Sequence, residues 1–353
     1  MPKPKMRSIF VVSHHRTGGG FPLDSLWFSQ AACRQHGLRL EFVWNGKPNS
    51  LGKLLPARRV IFDSIGALAF WYGPKLHALA KFSGKKIAVY WHETEWEIEA
   101  GIEKCSRLYP SVKYALQNRH VRHFHVCQAG LDTLSKRYGV RAENLYLLPN
   151  ISNSSPMLRY ALPLPSEPQL YVACGRVKAR KGPDLFLQIA RQTLVHSPES
   201  KFVWVGGFER SGQFSEGAIA AAIHEQNLEH AVTFTGEQAD PASILAKASA
   251  FLLTSRDDPF PKVLMEALAL GKPCIAFAVG GVADLLGEFG TTVSPNDVPA
   301  FVQALHQHQQ APVSSADEQQ RRRQWYLERY TPEAFSHRFA KAVDWWAHPV
   351  PSR

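Results

Sequence analysis

The feature that most restricts how this chain folds is a repeated alternation of short apolar runs and helix-length segments. In the first half the runs are 7–13 (RSIFVVS), 38–44, 59–62, 86–91 (KIAVYW), 123–127 and 144–148. In the second half they are 169–174, 201–205, 231–234, 250–253 and 273–277. Most are too short for helices and rich in β-branched residues. They also lack the two-residue polarity alternation of a strand with one wet face, so they read as strands buried on both sides. Helical patterns fall between them, over 22–36, 66–82, 130–138, 183–196, 215–226 and 240–247. Strands alternating with helices predict parallel sheets covered on both faces. The stretch 151–168 (ISNSSPMLRYALPLPSEP) interrupts the series with serines, prolines and no periodicity, which marks a domain boundary. The expectation is an α/β chain of two doubly wound domains facing across a cleft. These are 1–160, 161–330 and a last helix over 331–353 that crosses back to the first domain. Thr331 caps that helix, with Pro332 at its first position.

Composition narrows the class. At 353 residues, 45% hydrophobic and 20% charged, the chain has material for two packed cores. No run approaches the ~20 apolar residues of a membrane-spanning helix, and no secretory leader is legible at the start. The five cysteines are scattered without a CxxC pair, which argues against a disulfide framework or a zinc knuckle. These features point to the cytoplasm, with no bound metal expected. Charge is unevenly spread. Residues 1–150 hold 22 Lys+Arg and 10 Asp+Glu, a net of 22 − 10 = +12, and the rest hold 19 and 20, a net of −1. Such a surface attracts an anionic partner. The basic, partly aromatic segment 103–125 (Lys104, Arg107, Lys113, Arg119, Arg122, His123) makes the inner face of a cell membrane a candidate for peripheral contact.

The chemistry centres on 255–273 (SRDDPFPKVLMEALALGKP). Asp258 falls in a turn and Glu266 inside the following helix. That helix is apolar nearly all round except for Lys262 and Glu266 on one face, so it should be buried. A carboxylate there is costly without a hydrogen-bonding partner. An i, i+4 pair with Lys262, worth only ~0.3 kcal/mol in this orientation, would not offset that cost. A ligand would. For Asp258 a helix N-cap role stands beside ligand contact. The loop GRVKARKGPD after the strand 169–174 carries Arg176, Lys178, Arg180 and Lys181 ahead of a helix start at Pro183. A guanidinium and an ammonium beside helix-end amides suit a diphosphate. In the first half, Gly18, Gly19 and Gly20 follow the first strand, where backbone can approach an anion. His92 and Glu93 follow the strand 86–91, at the strand end where open α/β sheets bind ligands. A backbone hydrogen bond for His92 is the plain alternative. Gly280-Gly281 offers another loop of open backbone.

Taken together, GRVKARKGPD, SRDDPFPKVLMEALALGKP and Gly280-Gly281 resemble the glycosyltransferase 4 family, whose members are retaining nucleotide-sugar glycosyltransferases of the GT-B fold. The family spaces an Arg and a Lys as Arg176 and Lys181 are spaced, and two acids as Asp258 and Glu266 are. The glycine loop, His92-Glu93 and the strand exit Leu148-Pro149-Asn150 agree. The resemblance implies that Arg176 and Lys181 neutralise the diphosphate of a nucleotide-sugar donor, UDP- or GDP-linked. It implies that Glu266 binds the ribose and Asp258 the sugar hydroxyls. The backbone around Phe260, Pro261 and Lys262 would touch sugar or phosphate, Gly18 and Gly19 would close on the phosphates, and His92 would lie near the anomeric centre. No cofactor beyond the donor is implied. The resemblance implies a glycan or lipid-linked acceptor. The chain departs from the family at Asp258, where a Glu is usual, and at Pro261, where a Gly is usual.

A nucleotide-sugar epimerase or a hydrolase would use the same site, and product analysis with and without acceptor separates these from transfer. A basic protein binding nucleic acid is the remaining class, but no reading motif for it is present.

Overall fold

The computed structural model describes residues 6–13, 24–44, 57–64, 67, 85–95, 97–99, 109–311 and 313–347. The chain divides into two compact units, Met1–Asn153 with Tyr330–Arg353, and Ser154–Arg329.

The first unit is built on a parallel six-stranded sheet: β1 (Arg7–Ser13), β2 (Leu38–Trp44), β3 (Arg59–Asp63), β4 (Lys86–Trp91), β5 (Val121–His125) and β6 (Leu145–Leu147), in the order β2-β1-β3-β4-β5-β6. The continuous apolar runs mean what their composition suggests, since all but the first residue of both β3 and β4 are buried. Around the sheet lie α1 (Asp24–Phe28), α2 (Gln30–Gln35), α3 (Tyr109–Gln117) and α4 (Gln128–Lys136). The single helix expected over 22–36 is two pieces, because Ser29 has φ −88° and ψ 3° and breaks the run. The chain's last helix, Pro332–Ala347, packs against α1 and α2. Thr331 caps it by accepting the Ala334 N–H at 3.3 Å. It buries Phe335, Phe339, Val343 and Trp346.

One further expectation in this unit changes. The basic segment 103–125 is not one surface helix. Residues 103–108 lie outside the described residues, α3 ends at Gln117, and β5 begins at Val121. Arg122 and His123 are therefore interior strand residues, 4% and 0% exposed. The Arg122 guanidinium stacks 4.6 Å from the Trp345 ring and donates to Asn144 Oδ1 at 2.9 Å, so its charge is consumed inside the unit. The helix expected over 66–82 lies, Ala67 apart, outside the described residues.

The second unit holds another parallel six-stranded sheet: β7 (Leu170–Cys174), β8 (Lys201–Val205), β9 (Val232–Phe234), β10 (Ala250–Leu253), β11 (Cys274–Phe277) and β12 (Gly290–Val293). Its order is β12-β11-β10-β7-β8-β9. Counted from β7, this is the doubly wound order of a dinucleotide-binding domain. The chain winds outward to opposite sides from β7 and β10, which are neighbours. The helices are α5 (Ser155–Leu158), α6 (Pro183–Leu194), α7 (Glu216–Glu225), α8 (Pro241–Leu245), α9 (Lys262–Ala269), α10 (Val282–Leu286), α11 (Val298–Gln310) and α12 (Ala316–Arg329). An aromatic cluster fills one side of the sheet. Phe186 meets Phe202, Trp204 and Phe234 edge-on, and Trp204 stacks on Phe234 at 5.5 Å.

The run Arg321-Arg322-Arg323 reads as a solvated face, and the structure corrects this for Arg323. That side chain is buried and donates from Nε to Ala269 O at 2.6 Å and from Nη1 to Tyr160 O at 2.8 Å. Ala269 is the last residue of α9, so a cation meets the partial negative charge of that helix end. Lys272 is buried as well, donating to Ser166 Oγ at 2.9 Å.

Candidate functional site

In the second unit the two stretches singled out by chemistry leave adjacent strands. The Arg/Lys loop follows β7 and the acidic turn follows β10, and these two strands flank the topological switch point. In open α/β sheets that crevice is where ligands bind. The loops are laced together along their length. Arg256 N donates to Arg180 O at 2.9 Å, and Thr254 Oγ1 to Gly182 O at 3.0 Å and Lys181 O at 3.1 Å. Gly182 has φ +69°, and a Cβ on it would stand 2.2 Å from Thr254 O, so only glycine lets the strands' exits approach this closely. Arg256 also grips Asp184, in the first turn of α6, through two bonds of 2.7 and 2.5 Å. Burial alone would push the Asp184 carboxyl up. The hydrogen bond and charge of Arg256 outweigh it and leave the carboxyl below its ordinary range.

The acid and the base meet inside this frame. Lys181 Nζ lies 2.5 Å from Asp258 Oδ2, with Arg180 Nη1 4.0 Å from the same oxygen and donating to Asp257 O at 3.0 Å. Asp258 is 5% exposed. It is not the N-cap of α9: that position is Pro261, with φ −70°, and no side chain caps the helix. Proline fits there because its fixed φ matches, and it removes one amide from the helix entrance. Phe260 is buried. Gly280-Gly281 is not open backbone. A Cβ on Gly280, at φ +53°, would stand 2.1 Å from Asp258 O, and Gly281 N donates to Pro259 O at 2.8 Å. The glycine pair buttresses the acidic turn from behind.

The helix α9 is less enclosed than its composition suggests. Leu264, Met265, Ala267, Leu268 and Ala269 are buried, while Lys262, Val263 and Glu266 are partly open on one face. Glu266 and Lys181 both act on Cys174, at the carboxyl end of β7. Burial first, then the Glu266 charge, raise that thiol to about 12, while Lys181 opposes them. The acid of α9 and the lysine of the loop thus converge on one strand end. Arg176 is the exception to the lacing. It is exposed, and among the described residues its guanidinium has no hydrogen-bond or ion-pair partner. A cavity of about 370 Å³ elsewhere in the unit lies at the amino ends of β11 and β12, beside Cys274, Gly290 and Arg322, away from this cluster.

In the first unit, His92 follows β4 and is 8% exposed. Both of its ring nitrogens are engaged by side chains rather than by a carbonyl. Nε2 is 2.9 Å from Asp63 Oδ1, and Nδ1 is 3.1 Å from Asn150 Nδ2. Asn150 Oδ1 accepts from Ser25 Oγ at 3.0 Å and from Tyr90 Oη at 3.1 Å, which orients its amide nitrogen toward the ring. Glu93 turns back to accept the His92 N–H at 2.9 Å. Gly18 and Gly19 lie outside the described residues. The residues that reading the sequence did not single out are Asp63, Thr254, Arg256, Asp184 and Asn150's side-chain role. The only hint of them was position, each lying at or just beyond a strand end or in a helix's first turn.

The chain resembles known proteins in part of its sequence and in its fold. Residues 168–310 match the family model described as "Glycosyl transferases group 1". The D-inositol 3-phosphate glycosyltransferase of Mycobacterium avium is 33% identical over 162 residues, 45% of this chain and 37% of that protein. The Mycolicibacterium paratuberculosis counterpart gives 33% over 162 residues and 36% of its length. The match thus spans little more than a third of the length of these curated relatives. Among solved structures, Anabaena HepE in complex with UDP and glucose aligns over 95% of this chain and 99% of its own, with a TM-score of 0.69 at 18% identity. A sucrose-phosphate synthase from Thermosynechococcus elongatus aligns over 96% and 98%, with a TM-score of 0.71 at 17% identity. The chain thus has the GT-B fold, and residues 168–310 of its second unit are similar to the group 1 glycosyl transferases.

Proposed function

We propose that this chain moves a glycosyl unit from a nucleotide-diphosphate sugar to a glycan, lipid-linked or other acceptor, with retention of the anomeric configuration. The observation that carries the reading is Arg176, an exposed guanidinium with no partner among the described residues, at the doubly wound switch point beside Lys181. Arg176 and Lys181 would neutralise the charge that builds on the diphosphate as the bond to the anomeric carbon breaks. The acceptor hydroxyl would attack on the face the phosphate leaves and pass its proton to the departing phosphate oxygen. Asp258 holds Lys181 now, and its carboxylate would be shared with the sugar's hydroxyls once a donor draws the ammonium toward phosphate. Glu266, on the open face of α9, would take the ribose hydroxyls. The main chain of Phe260, Pro261 and Lys262 would border sugar and phosphate, and Gly18 and Gly19 would close on the phosphates. His92, with both nitrogens engaged, would serve the sugar by shape and main chain rather than by proton transfer.

UDP is the first base to test, because the structural neighbour HepE was solved with UDP, with UDP-glucose, and with UDP and glucose. A panel of UDP, GDP and ADP should contain one nucleotide that raises the melting temperature. At 100 times its Kd the stabilisation is about 2.7 kcal/mol. Glu266→Ala should abolish the shift. A mutant that keeps the full shift removes Glu266 from the nucleotide site.

A further inference from the structure

Asp63 is the last residue of β3, and β3 stands beside β1 where the first unit's sheet reverses its winding. Its carboxylate is 1% exposed, yet among the described residues no Lys or Arg pairs with it. A buried carboxylate without a cation is costly and needs strong hydrogen bonds to persist. Here the ring of His92 supplies the bond to Oδ1 at 2.9 Å, while the second oxygen, Oδ2, has no partner. The residue that follows, Ser64, sits at φ +86° and donates its N–H to Tyr90 O at 2.9 Å. A non-glycine residue rarely adopts that conformation, and here it turns the chain away from β3 directly after Asp63.

The hydrogen bonds around His92 have one consistent polarity. Ser25 Oγ takes the Ile151 N–H at 3.0 Å, so its own proton goes to Asn150 Oδ1. The Tyr90 hydroxyl shares its proton between Leu148 O at 2.8 Å and the same Asn150 oxygen. Asn150 must then present Nδ2 to His92, whose Nδ1 accepts. The ring proton is therefore on Nε2, and Asp63 Oδ1 receives it. The Tyr90 ring lies 4.1 Å from the imidazole and closes one side.

We propose that Asp63 is a positioning residue. It accepts the Nε2–H of the tautomer that Asn150 imposes and locks the ring in one orientation against Asn150 and Tyr90, so that the exit of β4 presents an unvarying wall to the donor sugar. This deepens the glycosyl-transfer reading and rests on it for its kinetic consequence, though not for the tautomer.

The test combines NMR of ¹⁵N-histidine-labelled full-length protein with steady-state kinetics, His92→Gln serving to assign the His92 ring signals. Wild type should show His92 as a single Nε2–H tautomer. Asp63→Asn keeps an oxygen able to accept from Nε2 and should preserve both tautomer and most of kcat. Asp63→Ala should keep the Nε2–H tautomer that Asn150 imposes, broaden the His92 ring signals as the ring loses its fixed orientation, and lower kcat roughly 100-fold, the scale of a misplaced active-site group. Its nucleotide-induced thermal shift should stay unchanged. Wild type in the Nδ1–H form, or Asp63→Ala with the ring signals or kcat untouched, overturns the assignment. If Asp63→Ala fails to fold, wild type and Asp63→Asn decide the matter. Should no nucleotide bind at all, glycosyl transfer fails as a reading, and the wild-type tautomer still judges Asp63.

Discussion

The two units share a parallel six-stranded plan but end their strands in opposite chemistry. In the first, the group at the end of β4 is held by a closed circuit of single-proton bonds: Ser25 to Asn150, Tyr90 to Asn150, Asn150 to His92, His92 to Asp63. In the second, the loops after β7 and β10 carry formal charges: Lys181 on Asp258, Arg256 on Asp184, and Arg176 on nothing among the described residues. A closed circuit fixes geometry and offers little to a charged ligand. A charged cluster with one member unpaired is prepared for an anion. On the proposed function, the difference would leave the shape-dependent part of the work to the first unit and the phosphate-dependent part to the second.

The sharpest way to break that division is to remove the two second-unit cations in turn. Arg176→Ala and Lys181→Ala should each lower kcat by about 100- to 1000-fold, the range for deleting one group that stabilises developing charge. Their stabilities should separate. Among the described residues Arg176 has no partner, so its loss should leave the melting temperature in place. Lys181→Ala leaves Asp258, 5% exposed, without its closest cation, and should cost on the order of 3 kcal/mol. Equal melting temperatures for the two variants would mean the Lys181–Asp258 contact is not what holds the turn.

How much of this was legible in the sequence follows from the same contrast. The charged cluster was readable because its members sit close together in two stretches, 176–184 and 255–266, whose spacing matches a known pattern. The strands were readable where they are buried on both faces. β12 (GTTV) was not, since it is an edge strand with two exposed threonines and carries no apolar run. β5 was displaced by two residues because Arg122 does not look like an interior residue, although every position in it is buried. The His92 circuit was out of reach because its members lie at 25, 63, 90, 92 and 150. Only the parallel pairing of β3 with β4 brings Asp63 beside His92.

β5 supplies the next test, since it places two histidines in the first unit's interior. Burial, the leading cause in both, pushes His123 and His125 down to about 3 from an ordinary 6.5. A depressed histidine means the unfolded chain binds a proton that the folded chain refuses. Stability is therefore full above about pH 6.5 and drains away as pH falls toward 3. At pH 5.5 each should cost about 1 kcal/mol or slightly more. The second unit has one comparable group, His308, lowered by burial and then by Arg322. Hydrogen exchange read by mass spectrometry at pH 7.5 and 5.5 should show β4 and β5 losing more protection than β7 and β8. A uniform loss across both sheets would remove the histidines as its cause.

The smallest expected effect belongs to Arg256 and Asp184, and it bounds what surface charge does for the second unit. The pair is bidentate, which favours a real contribution. Its side chains are 35% and 41% exposed, which favours a small one. Solvent screening decides the issue, and pairs of this exposure contribute about 0.2–1 kcal/mol. Arg256→Ala should therefore lower stability by no more than roughly 1 kcal/mol, and less at high salt, where exposed charges are screened. The Asp184 carboxyl is held below its ordinary range, so its share is present at neutral pH and vanishes as pH drops through that lowered value. A double-mutant cycle with Asp184→Asn isolates the coupling from the bond Arg256 also makes to Ala179 O at 3.0 Å. A coupling well above 1 kcal/mol would show that the pair, rather than the backbone lacing of Thr254 and Gly182, fixes the loop that carries Lys181.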